Sequence, residues 1–355
     1  MRGSEMKSND KYNEKFNFWF FARVAAFSLI FVLTLTLLSV GPFSKKEGTQ
    51  FHNYYKDAYS FMIEPENTID IVCIGTSEPY SGYVPHKVYE KYGYTSVNTC
   101  MTNQDTVRSY AFFEDLLNYQ KPKVLIIETD MLDYEEDNAA VSAVYKKLQS
   151  TFAPVSEKRF NDILSSRLSV FQFNDRWKSL NFKTAFSSYD KNKQYQSINH
   201  GYSYSNDVDP TIKENEKMRV TDKTAGISEE CLYYLDGLIA LCNENDVKYF
   251  FVEMPQNGWN YAKHNAVTEL AEKYDCDFID YNLRMDEIGF DIKTDFRDPG
   301  HTNYSGAVKV TQGLADYMHE NYSDILCDHR GDSNYAFYDK SISEFYELNN
   351  IKQTE

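Results

Sequence analysis

Two short motifs in this chain combine residue types that carry out acyl chemistry. Ser77 ends a Gly-Thr-Ser turn after the apolar segment Ile69–Ile74, and His301 lies far downstream, three positions after Asp298. A serine hydroxyl is a weak nucleophile until an imidazole accepts its proton, and a carboxylate can orient that imidazole. We therefore predict that Ser77 is the nucleophile, that His301 is the general base and then the general acid, and that Asp298 fixes the imidazole tautomer.

Each motif is weak alone, because Gly-Thr-Ser and Asp-Pro-Gly are common turns and a following histidine can cap a helix. Their order favours catalysis: the serine follows the first predicted strand, and the Asp-x-x-His pair precedes the last long helix. The backbone N–H of Ser77 is expected to contribute to an oxyanion hole, where one donor contributes about 3 kcal/mol. Asn103 or Gln104 is expected to supply a side-chain donor. Glu78 is expected to bind an amide or a cationic group, with a solvated turn residue as the alternative.

The segments around these motifs alternate between predicted strands and predicted helices. The pattern predicts strands over 69–74, 94–98, 124–128, 247–253 and 278–280, and helices over 85–92, 106–119, 228–244, 262–274 and 304–318. Such alternation is typical of an α/β fold with a mainly parallel sheet covered on both faces, in which ligands bind at the carboxyl ends of the strands.

Residues 131–227 interrupt this alternation, because they are rich in Ser, Asn, Asp, Lys and aromatic residues without a clear strand. We predict a mostly helical insertion with loops, of the kind that shapes substrate sites. His200 within it is a candidate cleft residue, with an ordinary loop histidine as the alternative. The main domain is predicted over 68–326, followed by a polar, loosely packed tail over 327–355.

The N-terminal region predicts a membrane anchor. Val24–Ser44 is an unbroken run of uncharged residues, and about 20 apolar residues cross a hydrocarbon core of roughly 30 Å. Lys and Arg are more frequent before this run than after it, which predicts an uncleaved, single-pass signal anchor with residues 1–23 in the cytoplasm. Residues 45–67 are then a stalk that leads to an extracytoplasmic domain. The alternative is a buried core helix.

Composition excludes several classes of function. The formal net charge of −16 argues against a nucleic-acid partner, since no basic patch is present to attract phosphates. The six cysteines include no C-x-x-C pair, which argues against a zinc site, while disulfides remain open outside the cytoplasm. No dinucleotide-binding glycine motif and no metal-ligand cluster is present, so no cofactor is expected.

Three blocks of the sequence resemble the SGNH/GDSL hydrolase superfamily. They are similar, in particular, to its membrane-anchored branch, which includes the teichoic-acid D-alanyl transfer protein DltD and the alginate acetylation proteins. The blocks are Ile71–Glu78, Val97–Gln104 with the following Lys121–Ile127, and Asp298–Ala307. The resemblance implies a flavodoxin-like, three-layer α/β sandwich that follows one transmembrane helix.

The chain departs from the superfamily pattern at two blocks that usually supply oxyanion donors. Thr99-Cys100-Met101 replaces the usual glycine after the second strand, and Glu128-Thr129-Asp130 replaces a Gly-x-Asn-Asp block after the third. These departures leave the second oxyanion donor undefined. They also resemble the loss of the third block in the DltD-like and acetylation branches.

The resemblance implies an extracytoplasmic serine acyltransferase or esterase that forms an acyl-serine. Its substrate would be a D-alanyl or acetyl group on a cell-envelope polysaccharide or a teichoic-acid-like polymer. A polytopic membrane-bound O-acyltransferase is the implied partner that delivers the acyl group. The alternative is a non-catalytic, membrane-tethered glycan-binding or scaffold module, which the altered oxyanion blocks favour. Transfer and hydrolysis use the same residues, so the sequence leaves the choice between them open.

Overall fold

The structure is a computed structural model that describes residues 5–40, 42, 58, 61, 64–135, 170 and 198–351. The chain divides into two units, one containing the long helix α1 (Glu5–Val40) and the other containing residues 64–135 and 198–351. Within α1, Trp19–Ser39 is long and apolar enough to span a membrane, with a mean hydropathy of 2.2. This span begins and ends slightly earlier than the predicted run Val24–Ser44. That α1 is a membrane anchor, and the orientation of that anchor, stay predictions.

The strands of the second unit form one large sheet and two small ones. Their bounds are β1 Ile71–Ile74, β2 Ser96–Asn98, β3 Val124–Glu128, β4 Tyr134–Glu135, β5 Gly226–Ile227, β6 Lys248–Glu253, β7 Phe278–Asp280, β8 Phe296–Asp298 and β9 His301–Thr302. The large sheet has the order β2-β1-β3-β6-β7, and all of its pairs are parallel. The predicted α/β class with a mainly parallel sheet is confirmed.

The helices lie on both faces of this sheet. Their bounds are α2 Ser77–Gly82, α3 Pro85–Tyr92, α4 Thr106–Leu116, α5 Glu229–Glu244, α6 Tyr261–Tyr274, α7 Tyr304–Tyr322 and α8 Ala336–Leu348. In β1, Val72 and Ile74 pack with α4, α5 and α6, whereas Ile71 and Cys73 pack with α3 and α7. Alternate residues of a strand point to opposite faces, so this division gives three layers with two apolar cores.

Two regions lie outside this three-layer sandwich: the predicted insertion and the segment over 327–355. β4 and β5 pair in antiparallel fashion and so bring together the two ends of the predicted insertion; its predicted helices fall largely on residues 136–169 and 171–197, outside the described part. The prediction of a loosely packed tail over 327–355 is wrong, because α8 buries Tyr338 and Phe345 completely. Those aromatic residues lie among polar residues in the sequence, so the apolar face of α8 was not recognised.

Candidate active site

The nucleophile candidate lies on a sharp turn at the carboxyl end of β1. The strand ends at Ile74, and Ser77 is the first residue of the short helix α2. A Cβ added at Gly75 would lie 2.5 Å from both Cβ and Oε2 of Glu128, the last residue of β3. Glycine is therefore needed here, since only a residue without a side chain lets the Glu128 carboxyl reach the turn that carries Ser77.

His301 and Asp298 lie on a tight hairpin that faces this turn. β8 and β9 pair in antiparallel fashion, and Asp298 is opposite His301 in the register. The backbone N–H of Asn257 donates to the Pro299 carbonyl at 2.7 Å, which holds the tip of the hairpin. The Thr302 hydroxyl donates to the Ser81 carbonyl at 2.9 Å and so fixes β9 against α2.

Ser77, His301 and Asp298 form a continuous hydrogen-bonded row. Ser77 Oγ lies 2.9 Å from His301 Nε2. On the other side of the ring, His301 Nδ1 lies 2.8 Å from Asp298 Oδ1, which also accepts the Gly300 backbone N–H at 2.9 Å. With a proton on Nδ1 donated to Asp298, Nε2 keeps a lone pair and can accept the serine proton. The structure thus brings together the three residues that the sequence assigns to catalysis, and their role stays a prediction.

The two ends of this hydrogen-bonded row differ in their exposure to solvent. Ser77 is 8% exposed, whereas the side chain of Asp298 is 45% exposed. Arg297 Nε lies 3.5 Å from the second oxygen of Asp298, and the Tyr80 ring stacks on the His301 ring with 6.3 Å between their centroids. The carboxylate therefore acts in a partly hydrated environment, where its charge is screened.

An open, acidic cleft of about 210 Å³ leads to Ser77. Its walls are the nucleophile turn, the loop before α4 and the loop after β3, and its charged lining residues are all acidic: Glu78, Asp105, Asp130 and Asp133. Lys263 of α6 forms an ion pair with Asp130 at 3.2 Å. The cleft therefore presents an excess of negative charge, which attracts cationic groups and repels anionic ones.

Two buried glutamates lie behind the cleft at the carboxyl ends of β3 and β6. Glu128 accepts the backbone N–H groups of Thr76 at 2.9 Å and of Asp130 at 2.7 Å. Glu253 accepts the Thr129 hydroxyl at 2.7 Å and, on its other oxygen, the side-chain amide of Gln256 at 2.7 Å. Burial raises the pKa of each carboxyl group well above its ordinary value, and the neighbouring carboxylates raise it further.

The remaining predicted site residues fall in different places. Asn103 is exposed in the cleft with φ of 52°, and Glu78 lies beside Ser77. Gln104 also borders the cleft, but its amide nitrogen donates to the Thr99 carbonyl and the Ser109 hydroxyl, each at 3.1 Å. Of the two amides, Asn103 is therefore the better placed to donate to a substrate.

His200 belongs to a separate buried cluster rather than to the lining of the cleft. It is 2% exposed, and its ring nitrogens lie 2.7 Å from Glu64 Oε1 and 2.9 Å from Ser341 Oγ. Its ring stacks on that of Tyr338 in α8. In this position His200 fastens the C-terminal helix to the domain.

Two residues of the site, Thr76 and Glu128, were assigned no role from their sequence context. Glu128 is the polar end of a predicted buried strand, and Thr76 immediately precedes the proposed nucleophile. The carboxyl ends of neighbouring parallel strands meet at one edge of a sheet. The adjacency of β1 and β3 was therefore the signal that could have placed Thr76 beside Glu128. The sequence alone does not give that adjacency.

Comparisons with known proteins give remote similarities of fold. No protein-family model matches the chain, and no curated protein matches it. A proposed acylhydrolase from Bacteroides fragilis NCTC 9343 is 10% identical, with a TM-score of 0.34, over 78% of this chain and 99% of that one. A proposed GDSL-like lipase from Bacteroides ovatus ATCC 8483 is 11% identical, with a TM-score of 0.31, over 72% and 100%.

A third solved structure is a gut microbial diltiazem-metabolizing enzyme. It is 13% identical, with a TM-score of 0.25, over 74% of this chain and 49% of that one. At these identities and TM-scores the similarities say nothing of the chemistry of this chain.

Proposed function

We propose that this protein is a serine acyltransferase or esterase of the SGNH/GDSL type, anchored to the membrane by α1, that carries an acyl group on Ser77. The observation that supports the proposal is the row in which Ser77, His301 and Asp298 are joined by contacts of 2.9 and 2.8 Å. An open cleft reaches the serine at the carboxyl edge of the sheet, where α/β folds bind their ligands.

In the first half-reaction, Ser77 attacks the carbonyl carbon of an acyl donor. His301 Nε2 accepts the hydroxyl proton as the new C–O bond forms, and the carbonyl oxygen becomes an oxyanion. The resulting imidazolium donates its proton to the leaving alcohol or thiol as the bond to the donor breaks. Asp298 holds Nδ1–H and stabilises the imidazolium, which leaves an ester on Ser77 and a neutral leaving group.

The second half-reaction repeats these steps with a new nucleophile. A hydroxyl group enters the cleft, gives its proton to His301 and attacks the ester carbon, and the proton then returns to Ser77 as the acyl group departs. With a polymer hydroxyl as the acceptor the protein is a transferase, and with water it is an esterase. An open cleft admits either acceptor.

The charge of the cleft favours one of the two acyl groups that the sequence suggests. A D-alanyl ester carries an α-amino group with a pKa near 8, so it is mostly cationic at neutral pH, whereas an acetyl ester is neutral. Asp105 and Asp133 border the cleft and attract such a cation. We therefore favour an aminoacyl group on a cell-envelope polymer, with a polytopic O-acyltransferase as the partner that supplies it.

The test is covalent labelling of the full-length protein in detergent with a fluorophosphonate, a probe that reacts with activated serines, followed by mass spectrometry of peptides. We expect a single adduct on Ser77 that is lost in Ser77→Ala and in His301→Ala. Ser343→Ala, which removes an exposed hydroxyl on α8, is the matched control and should label normally. A folded wild-type protein without an adduct would contradict the proposal and would favour the non-catalytic scaffold.

A partition assay then separates transferase from esterase. The acyl-enzyme is formed with an activated ester of alanine, and a neutral polyol acceptor is added over a range of concentrations. A transferase acylates the acceptor in preference to water, whereas an esterase releases free alanine at a rate that the acceptor does not change. Equal rates with acetyl and alanyl esters would contradict the preference for a cationic acyl group.

A further inference from the structure

A second row of polar side chains, formed by Glu78, Thr76 and Glu128, begins beside the proposed nucleophile Ser77. Ser77 Oγ lies 3.4 Å from Glu78 Oε2. The same carboxyl oxygen is in hydrogen-bond contact with Thr76 Oγ1, which lies 3.0 Å from Glu128 Oε2. Two carboxyl groups thus contact one hydroxyl group from opposite sides, next to the proposed nucleophile.

When both carboxyl groups are ionised, this row has only one proton for the two contacts that Thr76 Oγ1 makes with carboxyl oxygens. The Thr76 hydroxyl has a single proton and can donate to Glu78 or to Glu128, but not to both at once. The other contact would then place a hydroxyl oxygen against a carboxylate oxygen with no proton between them. One further proton on the carboxyl pair converts both contacts into hydrogen bonds.

Burial alone would favour a proton on Glu128, whose pKa it raises well above the ordinary value, but the backbone donors favour Glu78 as the holder of the added proton. Glu128 accepts two backbone N–H groups, from Thr76 and Asp130, and donors of this kind favour an ionised carboxylate. A neutral Glu78 can donate to Thr76, which then donates to Glu128. In this arrangement both contacts of the Thr76 hydroxyl, with Glu78 and with Glu128, are hydrogen bonds.

The charged groups around Glu78 come from three elements. Glu128 and Asp130 lie at and after the end of β3, His301 lies on β9, and Lys263 of α6 is paired with Asp130. Burial, followed by the charge of Asp130, raises the pKa of Glu78, while the hydrogen bonds from Thr76 and from its own backbone N–H and the charge of His301 lower it; the net direction is upward. The surroundings thus favour retention of the added proton.

We propose that Glu78 and Glu128 share one proton through the Thr76 hydroxyl at neutral pH, and that the neutral Glu78 carboxyl turns this proton from Thr76 to the oxyanion formed when Ser77 attacks. Glu78 Oε2 faces both Thr76 and Ser77, and Thr76 keeps its hydrogen bond to Glu128 during this step. The second half of this proposal rests on the proposed acyl transfer, whereas proton sharing does not. The protonation state decides the effect of Glu78, because a carboxylate at this position would repel the oxyanion. Binding of a cationic acyl group is then left to Asp105 and Asp133.

A dependence on pH follows from the shared proton. The raised pKa means that the pair keeps its proton as the pH rises past the ordinary range of a glutamate and loses it only at higher pH. Glu78 then becomes anionic beside Ser77, and kcat/KM falls on the alkaline side. One oxyanion donor is worth about 10²- to 10³-fold in rate, which bounds the size of this decrease.

The first measurement is infrared spectroscopy of full-length protein in detergent, prepared with ¹³C-labelled glutamate so that glutamic acid bands are distinguished from aspartic acid bands. At neutral pH we expect a protonated carboxyl band that is lost in Glu78→Gln and also in Glu128→Gln. Either amide can donate to Thr76, so the remaining carboxyl group no longer needs a proton. Any band from Glu253, the other buried glutamate with a raised pKa, should persist in both variants.

The matched control is Asp133→Asn, which removes a negative charge from the same cleft without touching the row. It should keep the shared-proton band. A band that persists in Glu78→Gln would place the proton on Glu128 alone and overturn the sharing, and the absence of any band sensitive to these variants would do the same. Thermal melting checks the fold of each variant, and Glu128→Gln carries the test if Glu78→Gln does not fold.

The second measurement is the pH profile of ester hydrolysis. Glu78→Gln is neutral at every pH, so it should keep kcat/KM within about tenfold of wild type at neutral pH and lose the alkaline decrease. Asp133→Asn should keep that decrease. If Glu78→Gln loses activity as fully as Ser77→Ala, Glu78 acts as a carboxylate and the donor role is wrong. A shared-proton band in a protein whose Ser77 takes no label would instead contradict the acyl transfer and leave proton sharing intact.

Discussion

Replacing Asp298 by asparagine tests the row Ser77–His301–Asp298 at its exposed end. Asn has almost the same shape as Asp, and its carbonyl oxygen can still accept the Gly300 N–H that Asp298 accepts at 2.9 Å. The hairpin should therefore keep its conformation. In the proposed mechanism, the substitution removes the negative charge that stabilises the His301 imidazolium formed when Ser77 gives up its proton.

The magnitude follows from the distance and the exposure. Unit charges about 4 Å apart interact by about 1 kcal/mol in water and about 4 kcal/mol at an effective dielectric constant of 20. The Asp298 and His301 side chains are 45% and 23% exposed, so solvent screens the pair and the value lies between these limits. A loss of about 1 to 3 kcal/mol in transition-state stabilisation corresponds to a decrease of about 5- to 150-fold in kcat/KM.

The assay is hydrolysis of a nitrophenyl ester by full-length protein in detergent, with the rate of fluorophosphonate labelling as an independent readout. Asp324→Asn, which removes one exposed carboxylate far from the site in the sequence, is the matched control and should behave as wild type. Wild-type rates for Asp298→Asn would refute an orienting role for Asp298. A loss as complete as that of Ser77→Ala would refute the argument from solvent screening.

Two further predictions concern stability. Gly75→Ala places a methyl group 2.5 Å from the Glu128 side chain, so we expect about 1 to 3 kcal/mol of destabilisation in urea unfolding together with loss of labelling at Ser77; an unchanged midpoint would contradict the close approach. Burial, followed by the charge of His200, holds the pKa of His86 well below 6.5, so the unfolded chain binds a proton below about pH 6.5 that the folded protein does not. The free energy of unfolding should therefore decrease as the pH falls below that value. His86→Gln should lose less stability than wild type between about pH 7 and 5.5, and identical slopes for the two proteins would show that His86 does not contribute.

The sequence predicted the elements of the central domain well, because local patterns determine them. Val124–Glu128 was predicted as a strand from its apolar run after a proline, and the structure has the same bounds. Ser228 was predicted to cap α5, and its hydroxyl accepts the Cys231 N–H. Apolar periodicity and capping are properties of short segments, so they can be read without knowledge of the fold.

Local patterns were insufficient where burial depends on a distant partner. The segment after Cys327 reads as polar, yet the rings of Tyr338 and Phe345 enter a pocket formed with His200 and Val84. Gln104 was a candidate donor to the substrate, but its amide is engaged by Thr99 and Ser109. Neither outcome could be predicted before the neighbours of each side chain were known.

For the site itself, the residue types and their order along the chain can be read from the sequence. They make Ser77, Asp298 and His301 candidates because a nucleophile, a base and its orienting group are recognisable by type. That Ser77 also lies beside the row formed by Glu78, Thr76 and Glu128 is known only from the three-dimensional arrangement of the chain. The physical reason is that β1 and β3 are neighbouring parallel strands, so their carboxyl ends meet at one edge of the sheet, and Gly75 leaves room there for a carboxyl group.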